Sequence, residues 1–226
     1  MSNLKLAIFD VDGTLVDSQN SIVSSMNAAF AALSKPVPDR QKLLSIVGLS
    51  LPQAFQILAP WASETENAEM VCAYKDHYAA SRAGGQDGSV LYDGALDALH
   101  SLNKVENIQL GVATGKSRRG LDILFDNHDL HSLFVTSQVA DNHPSKPHPA
   151  MVRSALAEAG VSASDAVMIG DTTYDLEMAA AAGVPSIGVT WGYHSRRSLE
   201  AFEPVAVIND FAELVPALMS RWGFND

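Results

Sequence analysis

The chain has 226 residues, 47% of them hydrophobic, and a formal net charge of −11 at pH 7. This is enough apolar material for one large packed domain or two modest ones. The excess of carboxylates disfavours nucleic acid and membrane surfaces as partners, because both are bound by clustered Lys and Arg.

A single cysteine, Cys72, cannot form an internal disulfide and reads as a small apolar side chain in a reducing compartment. No stretch has the layout of a signal peptide, and no apolar run is long enough to cross a bilayer. A soluble, cytoplasmic protein is expected. Its oligomeric state is not legible.

In chain order, residues 4–9 (LKLAIF) form the first apolar run that reads as a buried strand. Helical patterns follow at 22–33, 51–58 and 64–80 with no convincing strand among them. The stripe Met26, Ala29, Phe30 and Leu33 has the spacing of a packed helix face. The glycine-rich AGGQDGS at 83–89 reads as a linker. Strands and helices then alternate, with strands at 108–114, 133–137, 166–170, 185–190 and 205–208 and helices at 95–102, 119–125, 150–159 and 176–182. That alternation predicts an α/β fold with a mostly parallel, doubly wound sheet. The sheet domain would comprise residues 1–17 and 90–226, with residues 18–89 as an inserted helical unit.

In such sheets ligands bind beyond the carboxyl ends of the strands, and the chemistry-bearing stretches fall there. The first strand ends in Asp10-Val-Asp12-Gly13-Thr14, and two acids this close call for a cation, a shared proton or open water. After the later strands come TGKSRRG (114–120), the loop NHPSKPHP (142–149) and GDTTYD (170–175). A P-loop is disfavoured because that motif needs four residues between its glycines and Gly111 and Gly115 have three. A Ca²⁺ loop counted from Asp10 would require glycine where Leu15 stands.

The reading that joins all four stretches gathers Asp10 and Asp171 around one Mg²⁺, with Asp175 as a further candidate ligand. Thr114 offers a hydroxyl, the N–H groups from Gly115 into the next helix offer an anion seat, and Lys146 adds a point charge. Arg118 and Arg119, beside that seat, could meet a second anionic group. His143 and His148 lack zinc-site spacing and read as loop histidines.

With those stretches placed, the chain resembles the haloacid dehalogenase superfamily, and within it the phosphoglycolate phosphatase-like group with an α-helical cap. DVDGT (10–14), Thr114, Lys146 in SKPHP and GDTTYD resemble its four motifs in order. YDGALDAL (92–99) and GVTWGYH (188–194) are similar to further segments of it.

The resemblance implies a Rossmann-like core with a cap at 18–89. It implies Asp10 as nucleophile, forming an aspartyl-phosphate, and Asp12 as general acid and then base. Mg²⁺ would be held by Asp10, the Asp12 carbonyl and Asp171, and Thr114 and Lys146 would hold the phosphoryl group. Cap loops of this family face the active site, which makes Gly48 and Ser50 candidate substrate contacts. The expected substrate is a small phosphorylated metabolite, in the class of phosphoglycolate or a sugar phosphate. A phosphomutase resembling β-phosphoglucomutase is the enzymatic alternative, and a receiver-like signalling module the non-enzymatic one. The second aspartate argues against dehalogenation, because a leaving halide needs no proton.

Overall fold

The computed structural model describes residues 4–83 and 90–224. In chain order the first half comprises β1 (Lys5–Phe9), β2 (Val16–Asp17), α1 (Gln19–Ala32), α2 (Arg40–Leu44), α3 (Leu51–Leu58), α4 (Glu64–Ala83), β3 (Val90–Leu91) and α5 (Ala95–Asn103). There follow β4 (Ile108–Thr114), α6 (Arg118–His128), β5 (Phe134–Val139), α7 (Ala150–Ala159), β6 (Ala166–Gly170), α8 (Thr173–Ala181), β7 (Ser186–Val189), α9 (Arg196–Glu200), β8 (Ala206–Ile208) and α10 (Leu214–Trp222).

The main sheet has six strands in the order β5-β4-β1-β6-β7-β8, all paired in parallel. The chain winds outward from β1 through β4 to β5, then returns to add β6 on the other side of β1. The order therefore reverses at β1, where neighbouring connections diverge and leave a crevice at the strand ends.

Every residue of β1 is buried, as expected for a strand covered on both faces. Its side chains alternate. Ala7 and Phe9 pack with Leu99 of α5 and Leu121 of α6, whereas Leu6 and Ile8 pack with Val152 of α7 and Met178 of α8. A separate apolar cluster holds α1 to α4 together around Met26, Phe30, Phe55 and Met70.

β2 and β3 pair antiparallel, Val16 with Leu91 and Asp17 with Val90, where the chain leaves the sheet region and re-enters it. Strands of two residues carry no readable period, so they escape the sequence. The expected linker at 83–89 lies outside the described residues, apart from the last helical residue of α4. Cys72 is a free thiol, exposed on α4. Among the described residues no helix is long and apolar enough to cross a membrane.

Candidate active site

The site is built where β1, β4 and β6 end. Asp10 follows β1, and its backbone N–H donates to the Ile169 carbonyl of β6 at 2.9 Å, which fixes the start of the loop against the neighbouring strand. Gly13 has φ +91°, a left-handed conformation that disfavours a Cβ, and an added Cβ would also overlap Asp171 Oδ2 and the Tyr193 ring. A turn tight enough to bring Asp10 and Asp12 back over the sheet therefore needs glycine here.

Asp10, Asp171 and Asp175 are all buried, and one carboxylate oxygen from each lies within 4.8 Å of the others. Lys146, also fully buried, donates from Nζ to Asp10 Oδ1 at 2.7 Å and to Asp175 Oδ1 at 2.6 Å. Asp175 Oδ2 accepts from the Thr172 hydroxyl at 2.7 Å and its N–H at 3.1 Å, so this residue both caps α8 and orients the lysine. Asp171 accepts from the Thr14 hydroxyl and the Tyr193 N–H, each at 2.8 Å. Asp10 Oδ2 is buried and lacks a hydrogen-bond partner.

Three buried carboxylates lie beside one ammonium, which bonds two of them, and the charges act on one another. Burial pushes the Asp10 carboxyl up to about 7, with Asp175 adding to the shift and Lys146 pulling against it. Burial, then Asp175 and Asp10, hold the Asp171 carboxyl well above the usual range. Burial alone would depress the Lys146 ammonium, but the carboxylates of Asp10 and Asp175 outweigh it and hold its pKa above the ordinary lysine value. A hard cation fits this site: its donors are all oxygens, a buried oxygen on Asp10 is unpaired, and negative charge is in surplus.

Thr114 ends β4, is buried, and accepts the Lys116 N–H at 3.2 Å. Asp12, half-buried, accepts from Lys116 Nζ at 2.9 Å, and that ammonium also donates to Tyr78 Oη on α4 at 3.4 Å. Lys116 and Tyr78 were not among the sequence candidates. A cavity of about 600 Å³ opens over Asp10, Asp12, Thr114, Gly115 and Lys116 and continues up to the helical unit, Gly48 included. Gly48 (φ +99°) and Gly115 bring the two units within backbone contact, since a Cβ on Gly115 would collide with the Gly48 carbonyl.

Two expected substrate contacts are placed elsewhere. Arg118 donates to the Ser137 hydroxyl at 2.8 Å and to the Ser137 carbonyl at 2.5 Å on β5, which turns it from the main cavity. Arg119 lines that cavity instead. Successive helical residues point about 100° apart, and here Arg119 takes the side toward the mouth. Ser50 lies outside the main cavity, and its N–H donates to Ser145 Oγ at 2.8 Å. His143 bonds Gln138 and His148 accepts the Ala150 N–H, as befits loop histidines.

The family model described as haloacid dehalogenase-like hydrolase matches residues 7–189. The chain is 39% identical over 217 residues, 94% of this chain and 92% of the other, to "Probable phosphatase IndB" of Dickeya dadantii (strain 3937). It is 33% identical over 221 residues to "Phosphoglycolate phosphatase" of Agrobacterium fabrum (strain C58 / ATCC 33970), 96% of this chain and 93% of that protein. The crystal structure of "a predicted phosphatase from Clostridium acetobutylicum" superposes with a TM-score of 0.85 at 28% identity, covering 96% of this chain and 99% of that one. The chain thus belongs to the haloacid dehalogenase-like hydrolases.

Proposed function

We propose that the protein is a Mg²⁺-dependent phosphatase that hydrolyses a small phosphomonoester through an aspartyl-phosphate on Asp10. The observation that carries this reading is the convergence of Asp10, Lys146, Asp171 and Asp175 beneath a cavity that Asp12 and Thr114 also line. The phosphatase names of its relatives support the reaction class.

A carboxylate oxygen of Asp10 attacks phosphorus, and the bond from phosphorus to the alcohol oxygen breaks as Asp12 gives that oxygen a proton. Asp12, now a carboxylate, takes a proton from water, which attacks the aspartyl-phosphate, releases inorganic phosphate and regenerates Asp10. The ion pair from Lys116 to Asp12 matches this second, basic state. Lys146, already against Asp10, and the Thr114 hydroxyl neutralise and orient the phosphoryl oxygens so that an anionic nucleophile can approach. Asp10, Asp171 and Asp175 would hold Mg²⁺, with the Asp12 carbonyl as a further ligand, and the bound ion supplies charge against the phosphoryl oxygens.

Residues 18–89 would act as a cap over this mouth. Three bonds support that role: Ser50 N–H to Ser145 Oγ at 2.8 Å, Tyr174 Oη to the Ser45 carbonyl at 3.2 Å, and His194 Nε2 against the same carbonyl at 3.2 Å. They tether the cap at its rim, where few bonds need break for substrate to enter.

The test is steady-state kinetics on a panel of phosphorylated metabolites, phosphoglycolate and hexose phosphates included, measuring released phosphate and isomerised ester together. Phosphate release that requires Mg²⁺ is expected. Isomerisation without net release would identify a mutase instead, and a protein that binds phosphate without turnover would match the signalling module.

A further inference from the structure

The floor of the cavity is polar and its roof is not. On the cap side the lining runs through Ile22, Met26, Val47, Leu51, Tyr74 and Tyr78, and the only charged cap side chain among its described lining residues is Lys75, which is exposed. On the core side Lys116 is held by Asp12, and Arg119 lies exposed at the first turn of α6. Tyr74 and Tyr78, one turn apart on α4, stack with centroids 5.8 Å apart and planes 13° from parallel. Leu51 and Tyr78 stay half-buried while lining the cavity, so apolar surface remains open to whatever enters.

The volume of about 600 Å³ lies in the range that takes drug-sized organic molecules, well beyond the needs of a two-carbon acid ester. A carboxylate or second phosphate pressed against this roof would surrender its water without gaining a buried cation. An uncharged apolar or planar group would gain by leaving water.

Resting on the phosphatase reading above, we propose that the preferred substrate is the phosphomonoester of an alcohol with an uncharged, apolar or planar body. That body would fill the wall of Ile22, Met26, Val47, Leu51, Tyr74 and Tyr78. The phosphate at the floor fixes the reacting end and the wall selects the rest of the molecule. Phosphoglycolate, compact and carboxylated, is then a poor substrate.

The test compares kcat/KM of the wild-type protein with Mg²⁺ on acetyl phosphate, phosphoglycolate, glucose 6-phosphate and 2-phenylethyl phosphate. Acetyl phosphate has almost no body to reach the wall and reports on phosphoryl transfer alone. The expected result is at least a tenfold preference for phenylethyl phosphate over phosphoglycolate. Val47→Thr, which exchanges one methyl for a hydroxyl at nearly the same volume, should lower that ratio severalfold, as should Leu51→Arg at the half-buried start of α3. Turnover of acetyl phosphate with phosphoglycolate or glucose 6-phosphate equal to or better than phenylethyl phosphate overturns this inference and leaves the phosphatase intact. Failure on all four, acetyl phosphate included, overturns the phosphatase reading and this inference with it.

Discussion

Lys116 Nζ lies 2.9 Å from Asp12 Oδ1, joining the loop after β4 to the loop after β1 across 104 residues of sequence. Its ammonium also sits 5.3 Å from the centre of the Tyr78 ring, so one cation touches the proposed acid-base residue and α4 together. Lys116 is a positioning residue in this account: it acts through Asp12. Lys116→Met should lower kcat by roughly ten- to a hundredfold on alkyl phosphates and less on aryl phosphates with good leaving groups. Lys116→Arg should restore part of the loss. A leaving-group series checks this, because a merely structural defect would depress every ester alike.

Asp12→Asn should be more severe and equally selective, with a loss on the order of 10²–10⁴ for alkyl esters. An aryl oxide that leaves without a proton should suffer much less. A uniform loss across the series would remove Asp12 from general acid catalysis.

Lys146 is the only ammonium bonded to Asp10 and Asp175 among the described residues, and all three are buried. Lys146→Met leaves those carboxylates without their counter-charge and should destabilise the metal-free protein by about 3–5 kcal/mol in denaturant titrations. Turnover should fall with it, because the phosphoryl group loses the same cation. Unchanged stability would mean that the acid cluster is compensated elsewhere.

Much of this arrangement is legible in the sequence, for a physical reason. Buried parallel strands are short apolar runs, and the crevice of a doubly wound sheet lies at their carboxyl ends, so Asp10, Thr114, Lys146 and Asp171 are marked by where their strands stop. Partnership across distance is not legible. Nothing around Lys116 separates it from a solvated lysine until the fold sets Asp12 beside it. Arg118 and Arg119 are neighbours in sequence, and only the rotation of α6 decides that Arg118 meets Ser137 while Arg119 meets the cavity. Met26 reads as part of a packed helix face and is so, yet together with Val47 of the same apolar cluster it also forms the cavity wall. α10 hides for another reason: Pro216 breaks the pattern on paper, yet it is tolerated in the first turn, where the missing N–H has no helical partner to lose.

Metal and pH should act together on stability. With no metal bound, the folded Asp10 and Asp171 hold protons more tightly than the unfolded chain does, so this site's contribution falls as pH rises from about 4, the ordinary aspartate value, through about 7 for Asp10. Mg²⁺ requires the deprotonated carboxylates, so its stabilisation should grow over the same range. The rise in thermal midpoint caused by Mg²⁺ should be larger near pH 8 than near pH 5.5, and Asp171→Asn should diminish it. A rise independent of pH and of Asp171 would place the metal elsewhere.

In the proposed mechanism Asp10 carries the phosphoryl group. The most direct measurement is acid quench of the Mg²⁺-loaded enzyme during turnover of acetyl phosphate, followed by peptide mass analysis before and after hydroxylamine treatment. One phosphoryl group is expected on the peptide containing Asp10, removed by hydroxylamine, with neither adduct nor turnover in Asp10→Asn. Wild-type turnover by Asp10→Asn, or a phosphoryl group trapped on any other residue, would contradict it.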